Sequence, residues 1–306
     1  MPAPFFVVGP TAVGKSGLAV QVAARFGAEI VGADAFQVYR GFDLLTAKPS
    51  PAEQARVPHH LVGTVPPAVS YNVARYLEDA RRCLESVFRR GKSVLVVGGT
   101  GLYIKALTHG LSPLPEADPS IRAELELQDT PALLVRLGAL DPVAAGSIDI
   151  HNKRRLIRAI EVCLLTGRPF SNFQNLWDQK LPPGQPNGVF LVRPKEDVHA
   201  RVERRVNEMF ARGVVEEVHA VASEALSPTA SRMIGLPDIQ AYLVDRQTLA
   251  QCQENIKIAT RQYAKRQVTW FQRERHFERF DLSQRTDEAA QIDWLSARFE
   301  AHLARG

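Results

Sequence analysis

The string Gly9-Pro-Thr-Ala-Val-Gly14-Lys15-Ser16 constrains this chain more than any other feature. It follows a short apolar, partly β-branched run, Phe5 to Val8, and precedes Lys15 to Phe26, where Leu18, Val22 and Phe26 fall at helical spacing. Strand, glycine-bounded turn and helix, in that order, are the context in which G-x-x-x-x-G-K-S forms a phosphate-binding loop. Backbone N–H groups turn inward as an anion nest and the helix N-terminus adds partial positive charge. Lys15 would neutralise phosphate oxygens, and the Ser16 hydroxyl would ligate Mg2+. The candidate pyrophosphate contacts are Gly9, Thr11, Ala12, Val13, Gly14, Lys15 and Ser16, with Ser16 as the metal ligand.

The rhythm continues beyond this loop. Ala28 to Ala33 reads as a second strand, and Val73 to Arg90 as an amphipathic helix closed by Gly91. Ser93 to Val97 is a strand without alternation, followed by Gly98-Gly99-Thr100-Gly101 and another helix. Alternating elements with continuous apolar strands predict an α/β fold, a P-loop NTPase-like parallel sheet core. The rhythm stops near Leu111, at Ser112-Pro113-Leu114-Pro115, and resumes with the strand Val189 to Val192 after the Pro- and Gly-rich stretch 182–188. The expected organisation is a catalytic core of 1–111 and 189–306 with a mainly helical insertion at 112–188. Two later helices are expected, Val198 to Val221 and Leu249 to Gln272.

Chemistry narrows the reading. A P-loop binds pyrophosphate, but the usual nucleotide hydrolase adds an apolar strand ending in Asp for the metal. Here Val94 to Val97 ends in glycines, which weakens a motor or GTPase reading and leaves a transferase or a small-molecule kinase. Asp34 stands at the end of the second strand, where open parallel sheets place ligands. It is a candidate general base, and a strand-end Asp is equally a turn former. His59 and His60 are adjacent, hence on opposite faces of a strand and a poor metal pair, so a structural role is expected.

The chain of 306 residues carries a net charge of +5, with Arg outnumbering Lys 29 to 9. Guanidinium suits phosphate recognition, so an acidic partner fits the composition. The insertion begins acidic and turns basic at Lys153, Arg154, Arg155 and Arg158. On the last long helix, Leu249, Cys252, Ile256, Ala259, Tyr263, Gln267 and Trp270 form an apolar-leaning stripe, with Lys257, Arg261 and Lys265 opposite. That basic row is either a solvated face or a phosphate-binding one. Cys83, Cys163 and Cys252 match no ligand spacing or redox pair, and no leader or membrane-spanning run is evident, so a cytoplasmic setting is expected.

Seven strings together resemble one family, the bacterial-type tRNA dimethylallyltransferases, also called tRNA isopentenyltransferases. They are GPTAVGKS at 9–16, AD-x-x-QVYRG-x-D at 33–43, TAKP at 46–49, VPHHL at 57–61, GGTGLYIKAL at 98–107, RRLIRAIEV with TGRP at 154–169, and TRQYAKRQVTWF at 260–271. The resemblance implies transfer of a dimethylallyl group from dimethylallyl pyrophosphate to N6 of adenosine at tRNA position 37, with Mg2+ as cofactor. It also implies a monomer that acts on the tRNA anticodon stem-loop without a membrane partner. Asp34 would be the general base, Thr100 and Arg122 would lie near the RNA at the reaction channel, and Arg201 would bind pyrophosphate, with Arg205 in reserve. Asp34, Ala35, Phe36, Gln37, Thr100, Arg122, Arg154, Arg155, Arg158, Arg232, Lys265, Arg266 and Gln267 would face the tRNA. The sequence departs from the family pattern at Ala35, Leu45 and Gly235-Leu236-Pro237.

Overall fold

A computed structural model describes residues 3–177, 188–221, 225–285 and 287–305. In chain order the first elements are β1 (Phe5–Val8), α1 (Lys15–Phe26), β2 (Glu29–Ala33), α2 (Pro51–Arg56), β3 (His59–His60), α3 (Val73–Arg89), β4 (Val94–Gly98) and α4 (Gly101–His109). Then come α5 (Pro119–Glu126), α6 (Thr130–Leu140), α7 (Pro142–Ser147) and α8 (Lys153–Thr166). The chain closes with β5 (Gly188–Val192), α9 (Lys195–Ala211), α10 (Val214–Ala220), α11 (Leu236–Leu243), α12 (Leu249–Phe271), β6 (Glu278–Asp281) and α13 (Glu288–Leu303). Two compact units result, one drawn from Met1–Thr108 and Pro182–Gly306, the other His109–Leu181. Residues 178–187, and with them most of the expected Pro- and Gly-rich stretch, lie outside the described residues.

In the first unit, six strands form one all-parallel sheet in the order β3-β2-β4-β1-β5-β6. The strand runs lack alternation because both faces are covered. Phe6, Val8, Val31, Val96 and Phe190 pack with Tyr76 of α3, Val202 of α9 and Ile256 of α12, whereas Phe5, Val7, Ile30, Leu95 and Leu191 pack with Val22 of α1 and Phe299 of α13. β1 lies between β4 and β5, and the chain leaves β1 toward β2 on one side while β5 adds on the other. A crevice at the C-terminal ends of such strands is where ligands bind in open α/β sheets.

Two expectations change. The expected single helix from Val198 to Val221 is two, α9 and α10, because Gly213 takes φ 93° between them. That left-handed conformation ends a helix and is adopted by glycine at little cost. On α12 the buried positions are Cys252, Ile256, Thr260, Ala264, Gln267 and Phe271, while Leu249 and Trp270 remain 41% and 37% exposed. The helix packs against α9 and α11 along a row stepping mostly by four, so the buried line runs at a shallower slant than the expected stripe. His59 and His60 are structural as expected: His59 Nδ1 lies 2.7 Å from the Val57 carbonyl and His60 Nε2 lies 2.6 Å from Glu29 Oε2. No helix among the described residues is long and apolar enough to cross a membrane.

The second unit closes over Leu125, Leu133, Leu137, Leu156 and Ile160 as its own core. Pro at the first or second helical position follows an Asp cap at the start of α5, α6 and α7. Glu161 on α8 is 0% exposed and takes Arg122 Nε at 2.8 Å, Arg122 Nη2 at 2.9 Å, Arg158 Nη1 at 2.5 Å and the Asp118 N–H at 2.8 Å. Burial alone would raise its carboxyl pKa, but these donors overcome it and hold the group below 4.5. A depressed folded-state pKa gives stability that is present above about pH 4.5 and lost as the pH falls through the folded value. Because both guanidinium groups remain partly open to water, Glu161→Ala is expected to cost about 2 kcal/mol, read as a lower urea midpoint at pH 7. The difference from wild type should shrink as the pH is brought below about 4.

Candidate active site

The loop after β1 turns sharply: Ala12 has φ 67° and Gly14 φ 103°, and Lys15 Nζ reaches the Pro10 carbonyl at 3.3 Å. Two distant side chains brace it. Arg193 Nε donates to the Val13 carbonyl at 2.9 Å, and the Thr11 N–H donates to Gln267 Oε1 at 2.7 Å. Thr11 thus spends its N–H on the protein, and the anion nest is left to the start of α1, whose first N–H groups have no intrahelical acceptor. Gly9 lies against Leu191, and Val13 is buried, while Gly14 and Ser16 remain open to solvent to differing degrees.

The facing wall is built by the ends of β2 and β4. Asp34 Oδ1 accepts the N–H groups of Phe36 at 2.9 Å and Gln37 at 3.2 Å. It is therefore a turn former through one oxygen, and Oδ2 has no hydrogen bond among the described residues, so the two readings of this carboxylate coexist. Thr100 Oγ1 accepts the Ala35 N–H at 3.0 Å, and the Thr100 N–H donates to the Ala33 carbonyl at 3.1 Å. The glycines of this loop are required by close approach: a Cβ at Gly99 would overlap the Gln267 amide, and one at Gly101 would overlap the Trp270 indole. Gln267 Nε2 donates to the Gly99 carbonyl at 2.9 Å, so this one buried side chain bridges the β1 loop and the β4 loop. Tyr263 lies near Thr100 and Gln267, and burial, with the charge of Asp34 second, raises its phenol pKa.

Positive charge converges opposite Asp34. Burial foremost lowers the Lys15 pKa to about 8; Asp34 opposes that shift and Arg205 adds to it. Burial also lowers the Arg205 pKa, again opposed by Asp34. Arg201 Nη1 lies 3.8 Å from where a Cβ on Gly14 would stand. Arg193, whose pKa is lowered by burial and then by Arg201, completes the set. Sequence reasoning named Arg201 and Arg205 but missed Arg193. The available signal was its place directly after β5, at the C-terminal end of a strand, where open parallel sheets bind ligands. With no carboxylate at the end of β4, the cleft sets these cationic side chains beside a carboxylate that has one oxygen without a hydrogen bond among the described residues.

The residues expected to face RNA divide into exposed and committed groups. Arg232, Lys265 and Arg266 are exposed, and Lys265 and Arg266 line a depression of about 380 Å³ with Gln262, Thr269, Trp270 and Arg273. Gln267 instead points inward, and Gln37 Nε2 is held by the carbonyls of Thr46 at 3.2 Å and Ala47 at 2.9 Å. Ala35 and Phe36 lie in the Asp34 turn, partly exposed. Within the second unit Arg154 and Arg155 are exposed at the start of α8, whereas Arg122 and Arg158 are tied to Glu161. Of the basic row on α12, Lys257 faces Glu203 at 3.8 Å and Arg261 pairs with Glu254 at 2.7 Å.

A family model described as IPP transferase matches residues 37–274, and one described as isopentenyl transferase matches residues 3–57. The tRNA dimethylallyltransferase of Geobacter metallireducens is 47% identical over 274 residues, 88% of this chain and 89% of its own. That of Akkermansia muciniphila is 41% identical over 278 residues, 91% of this chain and 93% of its own. Among solved structures, the full-length tRNA isopentenylpyrophosphate transferase of Bacillus halodurans matches with a TM-score of 0.72 at 32% identity, covering 100% of this chain and 98% of its own. A eukaryotic dimethylallyltransferase acting on tRNA matches with a TM-score of 0.80 at 27% identity, covering 98% of this chain and 80% of its own. Relatives spanning nearly all of the chain agree with the P-loop cleft in pointing to one class of enzyme: the chain belongs to the IPP transferase family of prenyltransferases.

Proposed function

We propose that this chain transfers a dimethylallyl group from dimethylallyl pyrophosphate to N6 of the adenosine at tRNA position 37, beside the anticodon, giving N6-isopentenyladenosine and pyrophosphate. The observation that carries this reading is the cleft in which Lys15, Arg193, Arg201 and Arg205 surround the phosphate loop while Asp34 Oδ2 stays uncommitted. In the reaction the bond from N6 to the allylic carbon forms as the carbon–oxygen bond breaks. The electron pair leaves with pyrophosphate and the N6 proton goes to Asp34 Oδ2. Negative charge grows on the leaving group, and fixed cations in a recess stabilise that growth without reorganising. Adenine N6 is a poor nucleophile, so removal of its proton by a positioned carboxylate contributes about a hundredfold or more.

Magnesium suits the donor set. It takes one or two protein oxygens together with phosphate oxygens and water, so Ser16 and the pyrophosphate fit it even though β4 ends without a carboxylate. When bound it would supply further neutralisation of the leaving group. The exposed Arg232, Lys265, Arg266, Arg154 and Arg155 would hold the RNA, and those contacts would offset the few kcal/mol needed to take the base out of its stack. In an assay with dimethylallyl pyrophosphate, Mg2+ and unmodified tRNA, mass analysis of nucleosides is expected to find N6-isopentenyladenosine at position 37. Folded protein that yields no prenylated adenosine would sink the proposal.

A further inference from the structure

Arg205 and Gln37 share an acceptor whose placement none of the cleft residues explains. The Thr46 carbonyl takes Arg205 Nη2 at 3.3 Å and Gln37 Nε2 at 3.2 Å. Thr46 lies in a helical turn after Phe42: the Thr46 N–H donates to the Phe42 carbonyl at 3.3 Å and the Thr46 hydroxyl to the same oxygen at 2.6 Å. A turn of this kind leaves its first N–H groups without acceptors. All three are taken by one side chain from far along the sequence. Glu217 Oε1 accepts the N–H groups of Asp43 at 2.6 Å and Leu44 at 2.7 Å, and Oε2 accepts that of Leu45 at 2.9 Å. Beneath the turn, Leu45 is buried close to Gly235 and Ile256. The turn is thus held from one side by apolar packing and from the other by a carboxylate with three charge-assisted hydrogen bonds.

We propose that Glu217 is a positioning residue for pyrophosphate: through the backbone of Asp43, Leu44 and Leu45 it sets the Thr46 carbonyl that aims Arg205 into the cleft. The inference rests on the transferase reading for its purpose. Its test does not rest on turnover, because inorganic pyrophosphate binding is measured directly by calorimetry on the full chain.

Glu217→Gln keeps the size of the side chain but sets an amide N–H2 against one of the backbone N–H groups. It is expected to weaken pyrophosphate binding about tenfold, with tRNA affinity changed less than about twofold. In an Arg205→Ala background the same substitution should have almost no further effect, since the group through which it acts is gone. Glu217→Asp, which keeps the charge one methylene shorter, is carried beside it and should lose less than Gln, with thermal midpoints recorded for every variant. Unchanged pyrophosphate affinity in both Glu217 variants would overturn the proposal. So would an equal loss with and without Arg205, which would mean that Glu217 merely supports the fold. A chain that bound pyrophosphate in this pattern yet left tRNA unmodified would count against the transferase reading and not against the role of Glu217.

Discussion

Asp34→Asn is expected to slow prenyl transfer about a hundredfold or more while changing tRNA affinity by less than about twofold. The substitution is unusually selective because of how the carboxylate is used. Oδ1 accepts the N–H groups of Phe36 and Gln37, and the carbonyl oxygen of Asn can accept the same pair, so the turn that carries Ala35, Phe36 and Gln37 is kept. What changes is the second oxygen, which becomes a donor and can no longer take a proton from N6. A subsidiary effect follows from charge. Asp34 supports the protonated form of Lys15, so its neutralisation should move the loss of the Lys15 ammonium to lower pH. Single-turnover transfer rates, with tRNA affinity from fluorescence anisotropy, separate the effects. Equal losses in rate and RNA affinity would make Asp34 a positioning residue instead of the base.

What the sequence made legible was set by local chemistry. The β1 loop, the strand-end Asp34 and the glycines after β4 all act through neighbouring backbone or through the end of a strand, and a reader of the chain can find them. Arg193 was less visible because its value comes from the Val13 carbonyl, 180 positions away. Gln267 illustrates the difficulty more sharply. It sits between exposed Lys265 and Arg266 on one side and Trp270 on the other, and its string suggests RNA contact; yet helical rotation turns it inward to join Thr11 and Gly99. Arg122, Arg158, Lys257 and Arg261 show why a basic residue count overstates the phosphate-binding surface: each has a carboxylate partner, on its own helix for Arg158 and Arg261 and brought near by the tertiary structure for Arg122 and Lys257. The break at Gly213 was likewise hidden, since apolar spacing continues across it while the backbone does not.

Lys15→Ala is expected to reduce kcat/KM for the prenyl donor by about a hundredfold to a thousandfold, the scale for removing one preorganised group that stabilises developing negative charge. A subtler consequence concerns pH. The pKa of Lys15 lies at about 8, below its ordinary 10.5, chiefly because of burial. The ammonium is therefore lost as the pH rises through about 8, and pyrophosphate affinity of the free protein should fall above that point. An arriving pyrophosphate favours the charged form, so binding above about pH 8 should take up a proton, visible by calorimetry as a dependence on buffer ionisation heat. Lys15→Arg separates this from the titration of pyrophosphate itself, which is common to both proteins. Its guanidinium stays charged to well above pH 10, so the variant, whatever its absolute affinity, should lack the added weakening of about tenfold per pH unit that wild type shows above about pH 8. Parallel pH profiles for wild type and Lys15→Arg would place the titrating group elsewhere and remove Lys15 as the source of the loss.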